Sequence, residues 1–249
     1  MHQSPAHGES AFNKLELLLV VLVMVVVVSV ILPSPARGPT RSKRIECLNN
    51  LKQIGTAYRI WENDRDFMMP ARESVSNGGW QEILAMPDQG AICWTNYKII
   101  ADELGHLPKI LCCSSDERRP AADFATSFDN THISYFVGVS AGDDAPQSIL
   151  GGDRNLSPGN TPDPGYGFSP RSGKGNDVAV PISGPVCWSL KMHSVGNPAG
   201  GGNILLGDGS TQQTSSAHFQ SMWLSNAPPT TNWPAGHVPA SPSIRLIFP

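Results

Sequence analysis

Residues 138–142 read GVSAG and match the GxSxG pattern of a hydrolase nucleophile elbow. In that motif a sharp strand-to-helix turn exposes the serine, and the helix N-terminus helps to bind the oxyanion. Ser140 would be the nucleophile and His193 its base, with Asp153 or Asp177 orienting the histidine in the correct chain order.

The sequence after Ser140 does not favour that interpretation. Residues 143–150 read DDAPQSIL, which places two aspartates and a proline where the helix of the elbow would begin. The chain also lacks the alternating strand and helix units of an α/β hydrolase. We therefore predict that the glycines mark the end of a strand, that no residue is catalytic and that the protein is not an enzyme.

Four aspartates have oxygen ligands that a hard cation such as calcium would accept: Asp143, Asp144, Asp153 and Asp208. They lack the spacing of an EF-hand loop, and aspartates of this kind commonly form turns. No metal site and no cofactor is therefore predicted, with calcium as the alternative.

Five cysteines are an odd and sparse set: Cys47, Cys93, Cys112, Cys113 and Cys187. They contain no CxxC and no spacing typical of metal ligands. One or two disulfide bonds are compatible with these positions if the chain is exported, and the sequence does not indicate which cysteines pair.

A long apolar run lies near the N-terminus, before all of the candidate residues named above. Residues 17–32 contain one hydroxyl side chain, Ser29, and no charge, although Lys14 and Glu16 stand at the head of the run. Residues 12–32 would form a helix about 31 Å long, close to the roughly 30 Å of a bilayer core. A plain membrane anchor and a secretory signal peptide cut near residues 34–36 are two interpretations.

A third interpretation rests on resemblance. The segment AFNKLELLLVV resembles the leader of type IV prepilins and type II secretion pseudopilins, with Ala11 before the cut, Phe12 after it and Glu16 at the fifth mature position. Three later blocks are similar to bacterial prepilin-like proteins of planctomycete and verrucomicrobial type: RIECLNNLKQIGTAYRIWENDRD, SYFVGVSAGDDAPQSILGGDRN and GGGNILLGDGST.

That resemblance implies a function. The chain would be a pseudopilin- or minor-pilin-like structural subunit that assembles with other such subunits into a type II secretion pseudopilus or a type IV pilus-like filament. Prepilin peptidase would process it at Ala11 and Phe12, and Glu16 would act in assembly. It would be a single-pass protein of the inner membrane, in contact with lipid, with its C-terminal domain periplasmic or extracellular.

The competing interpretation is an exported binding or hydrolytic domain that is anchored in a membrane and forms no filament. The basic residues just after the apolar run would by themselves place the C-terminal side inside the cell. The outward placement therefore depends on the resemblance. Nucleic acid is not expected as a partner, because the net charge is −3 and no extended basic stripe is present.

The fold class predicted is α+β and pilin-like, with a long N-terminal membrane-spanning helix packed on an antiparallel sheet and a loop-rich C-terminal part. The predicted segments are a leader over 1–11, a transmembrane helix over 12–33, its amphipathic continuation over 34–66, a domain over 67–225 and a Pro-rich tail over 226–249.

Within the amphipathic segment, apolar residues recur every three or four positions and predict one buried helix face: Ile45, Leu48, Leu51, Ile54, Tyr58 and Trp61. Strands are predicted over 132–140 and 186–192, and a hairpin over 203–214 with its turn at Asp208 and Gly209. Residues 151–185 are predicted to be irregular, because glycine and proline are frequent there.

Overall fold

The computed structural model describes residues 13–31, 38–65, 68–84, 93–142, 145–169, 180–182, 184–197, 199–225 and 244–249. The chain divides into two compact units, Met1–Gly38 and Pro39–Pro249. The described helices are α1 (Lys14–Ile31), α2 (Gly38–Asn63), α3 (Gln81–Leu84), α4 (Cys93–Ile99) and α5 (Ser216–Ser225). The described strands are β1 (Tyr135–Gly138), β2 (Ile149–Asp153), β3 (Leu156–Pro158), β4 (Val180–Ile182), β5 (Val186–Trp188), β6 (Gly202–Leu206), β7 (Thr211–Thr214) and β8 (Ile244–Ile247).

The predicted membrane-spanning helix is wrong, because helix α1 is shorter than the prediction. It contains 18 residues, which at 1.5 Å per residue gives about 27 Å, less than a bilayer core of about 30 Å. It begins at Lys14 because the Asn13 side chain caps its first turn, accepting a hydrogen bond from the Leu15 amide at 3.4 Å. Across the described residues, no helix combines the length and the hydropathy that a membrane crossing requires.

Helix α2 lies in the second unit and buries one face. Leu51, Ile54, Tyr58 and Trp61 are buried as the periodic pattern predicted. The N-terminal part of the predicted face is wrong, because Ile45 is 43% exposed and Leu48 is only half-buried. Cys47 takes the buried position there, because the helical period places it on the same face as Leu51 and Ile54. Its sulfur is bonded to Cys113.

The sheet that carries the fold is antiparallel, so the molecule is α+β. In the part of the chain that the structure describes, six strands run in the order β4-β8-β1-β2-β6-β7, and β3 pairs with β5 in a separate ribbon. The strand predicted over 132–140 is the shorter β1, and the predicted hairpin is β6 and β7, with Gly209 at φ 79° in its turn.

Both faces of the six-stranded sheet are buried, which gives three layers. Tyr135 and Val137 of β1 pack in one apolar cluster with the buried faces of α2 and α4. Phe136, between them, packs in a second cluster with Trp188 of β5 and Phe219 of α5. Alternate side chains of a strand point to opposite faces, so a strand that is covered on both sides is apolar throughout.

Helix α2 approaches the β6–β7 hairpin closely at a glycine. A Cβ added at Gly55 would lie 2.6 Å from Leu205 Cδ1 and 3.3 Å from Gly209 Cα. The missing side chain therefore lets the helix backbone rest against the sheet, and it fixes how α2 sits above β6.

Two regions differ from the predicted organisation. Residues 151–158 are not irregular, because they include the end of β2 and all of β3. The predicted Pro-rich tail includes a strand of the sheet, since β8 lies between β4 and β1. Residues 226–243 of the predicted Pro-rich tail lie outside the described residues.

Candidate functional site

Ser140 does not occupy a nucleophile elbow in this structure. It follows β1 in the connection that leads to the antiparallel strand β2, and it is 3% exposed. Its Oγ has no hydrogen-bond partner among the described residues, whereas a serine nucleophile requires a base within hydrogen-bond reach. The GxSxG pattern thus marks the end of a strand, as the sequence indicated, and the Ser140 carbonyl accepts a hydrogen bond from Arg72 Nη2 at 3.1 Å.

His193 lies instead in a cluster around a disulfide bond. Cys47 of α2 is bonded to Cys113, which is 66 positions later in the chain. The Nε2 atom of His193 is 3.3 Å from Cys113 Sγ and 3.7 Å from Asp153 Oδ2. The ligand atoms of Cys47, Cys113 and His193 all lie within 4.8 Å of one another.

Different elements supply the members of this cluster. Asp153 ends β2, and its Oδ2 accepts a hydrogen bond of 2.7 Å from the Asn203 amide of the neighbouring strand β6. His193 lies in the short 3-10 helix Met192–Ser194. The Ser194 hydroxyl fastens that helix to β6, because it donates to the Gly201 carbonyl and accepts from the Gly201 amide, both at 2.7 Å.

Burial sets the protonation states of Asp153 and His193. Burial raises the pKa of Asp153 to about 8, and the Asn203 hydrogen bond and the Arg44 charge only partly oppose this rise. Burial and the Arg44 charge lower the pKa of His193 to about 4. At neutral pH the histidine is therefore neutral and the carboxyl is mostly protonated, so the two do not form an ion pair. Their separation of 3.7 Å is also too long for a hydrogen bond.

A cavity of about 480 Å³ leads to His193 and is lined by Arg41, Arg44, Ile45, His193 and Gln213. The Arg44 guanidinium packs over Gly201, where an added Cβ would lie 2.6 Å from Nη2. Arg44 Nε is buried without a hydrogen-bond partner among the described residues. The cavity is therefore positively charged at its wall and ends at the disulfide cluster.

The four aspartates proposed as calcium ligands are only partly described. Asp153 is fully buried, while Asp208 is exposed in the β6–β7 turn, where its Oδ1 accepts from the Ser210 amide at 2.8 Å. That contact is the turn-forming role of an aspartate. Asp143 and Asp144 lie outside the described residues, as does Asp177. The absence of a metal site therefore stays a prediction, with calcium binding as its alternative.

Glu16, the residue predicted to act in assembly, has a local partner. Its Oε2 accepts a hydrogen bond of 3.4 Å from the Asn13 amide, while Asn13 Oδ1 accepts from the Leu15 amide. These reciprocal contacts form a capping box, with Asn13 as the N-cap and Glu16 three residues later. Ala11 and Phe12, the predicted processing residues, lie outside the described residues.

The sequence had indicated part of this cluster but not its centre. Asp153 was a candidate partner of His193, and the structure brings the two together, although not beside Ser140. The pairing of Cys47 with Cys113 and the nearness of Arg44 had no signal in the sequence, because these residues come from separate segments that only the fold unites.

Comparison with known proteins adds no assignment, since no protein-family model, no curated protein and no solved structure matches this chain.

Proposed function

We propose that this chain is a pseudopilin- or minor-pilin-like structural subunit, and that α1 is the element through which it associates with other such subunits in a type II secretion pseudopilus or a type IV pilus-like filament. The observation that carries the proposal is the surface of α1. Its large apolar side chains from Leu15 to Val28 are all 45% to 74% exposed, on every side of the helix.

An apolar helix of this kind calls for burial by partners. A helix that is hydrophobic all round is normally buried, because each apolar side chain left in water forgoes about 1.5–3 kcal/mol of favourable transfer free energy. A bundle of α1 helices from neighbouring subunits would supply that burial. The order of the elements supports the same proposal, since an apolar N-terminal helix comes first and a helix packed on an antiparallel sheet follows.

Glu16 gains a specific role in such a bundle. Prepilin-type cleavage after Ala11 would give Phe12 a new α-amino group, which is mostly charged at neutral pH. Glu16 lies one helical turn further along and would pair with the Phe12 amine of an adjacent subunit. Its capping contact with Asn13 is compatible with this role, because a carboxylate has two oxygens and Oε2 alone makes that contact.

The remaining parts of the proposal come from the resemblance described above. They are processing by prepilin peptidase, location at the inner membrane with the second unit on the periplasmic or extracellular side, and contact of α1 with lipid before assembly.

Cross-linking of the 249-residue chain tests the proposal. Ser29→Cys places a reporter thiol in α1, and Cys112→Ser removes the half-buried native thiol from the background. In this chain, expressed in bacterial membranes with a prepilin peptidase, we expect oxidation to yield disulfide-linked dimers through residue 29. Absence of these dimers would contradict the proposed association through α1.

Two substitutions separate assembly from capping. Glu16→Gln keeps an N3 side chain that can complete the capping box but removes its charge, whereas Glu16→Leu removes both. We expect both variants to lower the cross-linked fraction at least fivefold, while the unfolding of the second unit is unchanged. Lys14→Thr should cross-link as well as the parent or better. Full cross-linking of Glu16→Gln would show that the carboxylate serves only its own helix.

A further inference from the structure

We propose that the Cys47–Cys113 pair, once reduced, forms a zinc site with His193, and that Asp153 supplies the fourth ligand. The domain would then have two states. Under oxidising conditions a disulfide bond links Cys47 and Cys113, and under reducing conditions a bound zinc ion links them instead. This inference does not depend on the proposed assembly function.

Two of the distances between the proposed ligands fit a tetrahedral site. With Zn–S near 2.3 Å and Zn–N and Zn–O near 2.0–2.1 Å, neighbouring ligand atoms of a tetrahedron lie about 3.3–3.8 Å apart. Cys113 Sγ is 3.3 Å from His193 Nε2, and Asp153 Oδ2 is 3.7 Å from the same nitrogen. Reduction releases the two sulfurs from their bond, so that they can separate. The Asp153 carboxylate must also move towards them, because it lies outside the group of ligand atoms that are within 4.8 Å of one another.

The ligand chemistry points to zinc rather than to calcium. Two thiolates, one imidazole and one carboxylate form a set that zinc accepts, whereas calcium prefers oxygen ligands alone. Asp153 is fully buried, and its Oδ1 has no hydrogen-bond partner among the described residues. A buried carboxylate oxygen without a partner is costly unless something compensates it, and a coordinated cation would do so.

The surroundings would hold the ligands in place and balance their charge. The Asn203 amide orients Asp153, and Ser194 ties the turn that carries His193 to β6. Met192, which precedes His193, holds an unusual φ of 53°. Zinc with two thiolates and a carboxylate carries a net charge of −1, and the Arg44 guanidinium at the adjacent cavity wall offsets it.

The cavity also provides a route by which an ion and a reductant reach the site. His193 lines the cavity of about 480 Å³, whereas Cys47 and Cys113 are at most 1% exposed. Cys113 also lines a second cavity, of about 640 Å³, together with Asp116 and Arg118, so the cluster can be reached from either cavity.

The chemical step is thiol–disulfide exchange. A dithiol reductant transfers two electrons and two protons to the Cys47–Cys113 bond, which breaks to give two thiols, and the reductant leaves as its own disulfide. Zinc then binds as the two thiols and the Asp153 carboxyl group lose their protons to solvent.

The experiment compares zinc binding in the reduced and oxidised chain. The 249-residue protein is reduced with a phosphine, or left oxidised, under anaerobic conditions, and zinc is titrated against a chromophoric chelator. We expect one tightly bound equivalent in the reduced protein and none in the oxidised protein. Cobalt should give the intense visible absorption of a tetrahedral thiolate site, and zinc should raise the unfolding temperature of the reduced protein only.

Matched variants identify the ligands. Cys113→Ser and His193→Gln should weaken zinc binding at least tenfold, while Cys112→Ser and His132→Gln should leave it unchanged. Equal zinc binding by Cys113→Ser and the parent would overturn the proposal. So would a reduced parent chain that binds no zinc, whether it stays folded or unfolds, because the proposal requires a reduced state that the metal holds together.

Discussion

At the scale of single residues, Arg154 is a charged side chain that is almost completely buried in the second unit. Its Nε and Nη2 atoms donate to the two oxygens of Asp116 at 2.7 and 2.8 Å, and its guanidinium stacks 3.4 Å from the centre of the Tyr166 ring. The Tyr166 hydroxyl also donates to Asp116, at 2.9 Å. Burial raises the pKa of Asp116, but these contacts outweigh it and the net shift is downward.

Asp116→Asn should therefore destabilise the protein strongly. It leaves Arg154 buried without its counter-charge, which costs about 3–5 kcal/mol in the free energy of unfolding. Glu117→Gln is the matched control, since Glu117 is 64% exposed and 4.0 Å from Arg154, and its loss should cost less than about 1 kcal/mol. Urea unfolding of both variants measures the difference, and equal stabilities would contradict this account.

The same carboxylate predicts a dependence on pH. Because the folded-state pKa of Asp116 lies below its unfolded value of about 3.9, its contribution to stability is present above that value and is lost as the pH falls through the folded-state pKa. Between neutral pH and pH 3, stability should fall less in Asp116→Asn than in the parent chain. A steeper loss in the variant would contradict the assigned direction of the shift.

Ser140 carries the residue-scale prediction about catalysis. Its hydroxyl is buried and unpaired with any base among the described residues, so a serine-reactive phosphonate should leave it unlabelled. Specific labelling that disappears in Ser140→Ala would revive the hydrolase interpretation.

Residue-scale features were predictable only where their cause is local. The strand before Ser140 and the turn at Gly209 follow from nearby residues, and both are present. The Cys47–Cys113 bond joins positions 66 apart, and His193 reaches it from a third segment. Contacts between such distant segments depend on the order of strands in the sheet and on how the layers pack, and no local sequence pattern in this chain predicts these.

At the scale of elements, α2 shows which buried residues the apolar periodicity of a sequence predicts correctly and which it does not. The pattern correctly selects Leu51, Ile54 and Tyr58, because a helix face packed on a sheet buries every third or fourth residue. It fails at Ile45, because at about 100° per residue that position lies well off the helix face that Cys47 and Leu51 share. Strand β8 was missed because its neighbours in the sheet are distant in sequence.

Leu51→Ala measures the packing of α2. Leu51 is fully buried in the cluster between α2 and the sheet, so its truncation should cost about 2–5 kcal/mol in the free energy of unfolding. Ile60→Ala on the same helix is the control, because Ile60 is 46% exposed, and it should change stability by no more than about 0.5 kcal/mol. A Leu51→Ala protein as stable as the parent would contradict burial of this face.

At the scale of the whole molecule, the chain combines an apolar helical segment in its first unit with a three-layer α+β domain in its second. The sequence predicted this order of parts and the α+β class. It overestimated the N-terminal helix, because hydropathy alone does not register that Asn13 caps α1 and sets where it begins. The layered sheet could not be predicted in detail, since its strands contain only three to five residues each.

The disulfide bond should contribute substantially to the stability of the second unit. It closes a loop of 66 positions, and in the chain-entropy model its removal costs roughly 4 kcal/mol. The double variant Cys47→Ala/Cys113→Ala should lose stability on this scale in metal-free urea unfolding, whereas Cys112→Ala should lose little. A loss below about 1 kcal/mol in the double variant would mean that packing alone holds α2 on the sheet.

The central claim is that this chain is a processed, pilin-like subunit, and mass spectrometry of its mature N-terminus tests it most directly. The protein would be expressed with a prepilin peptidase and purified from the membrane fraction. The account predicts a chain that begins at Phe12 with an N-methylated amine, because cleavage follows Ala11. A chain that retains Met1, or one that begins at Arg37 as a secretory signal would leave it, would contradict the account.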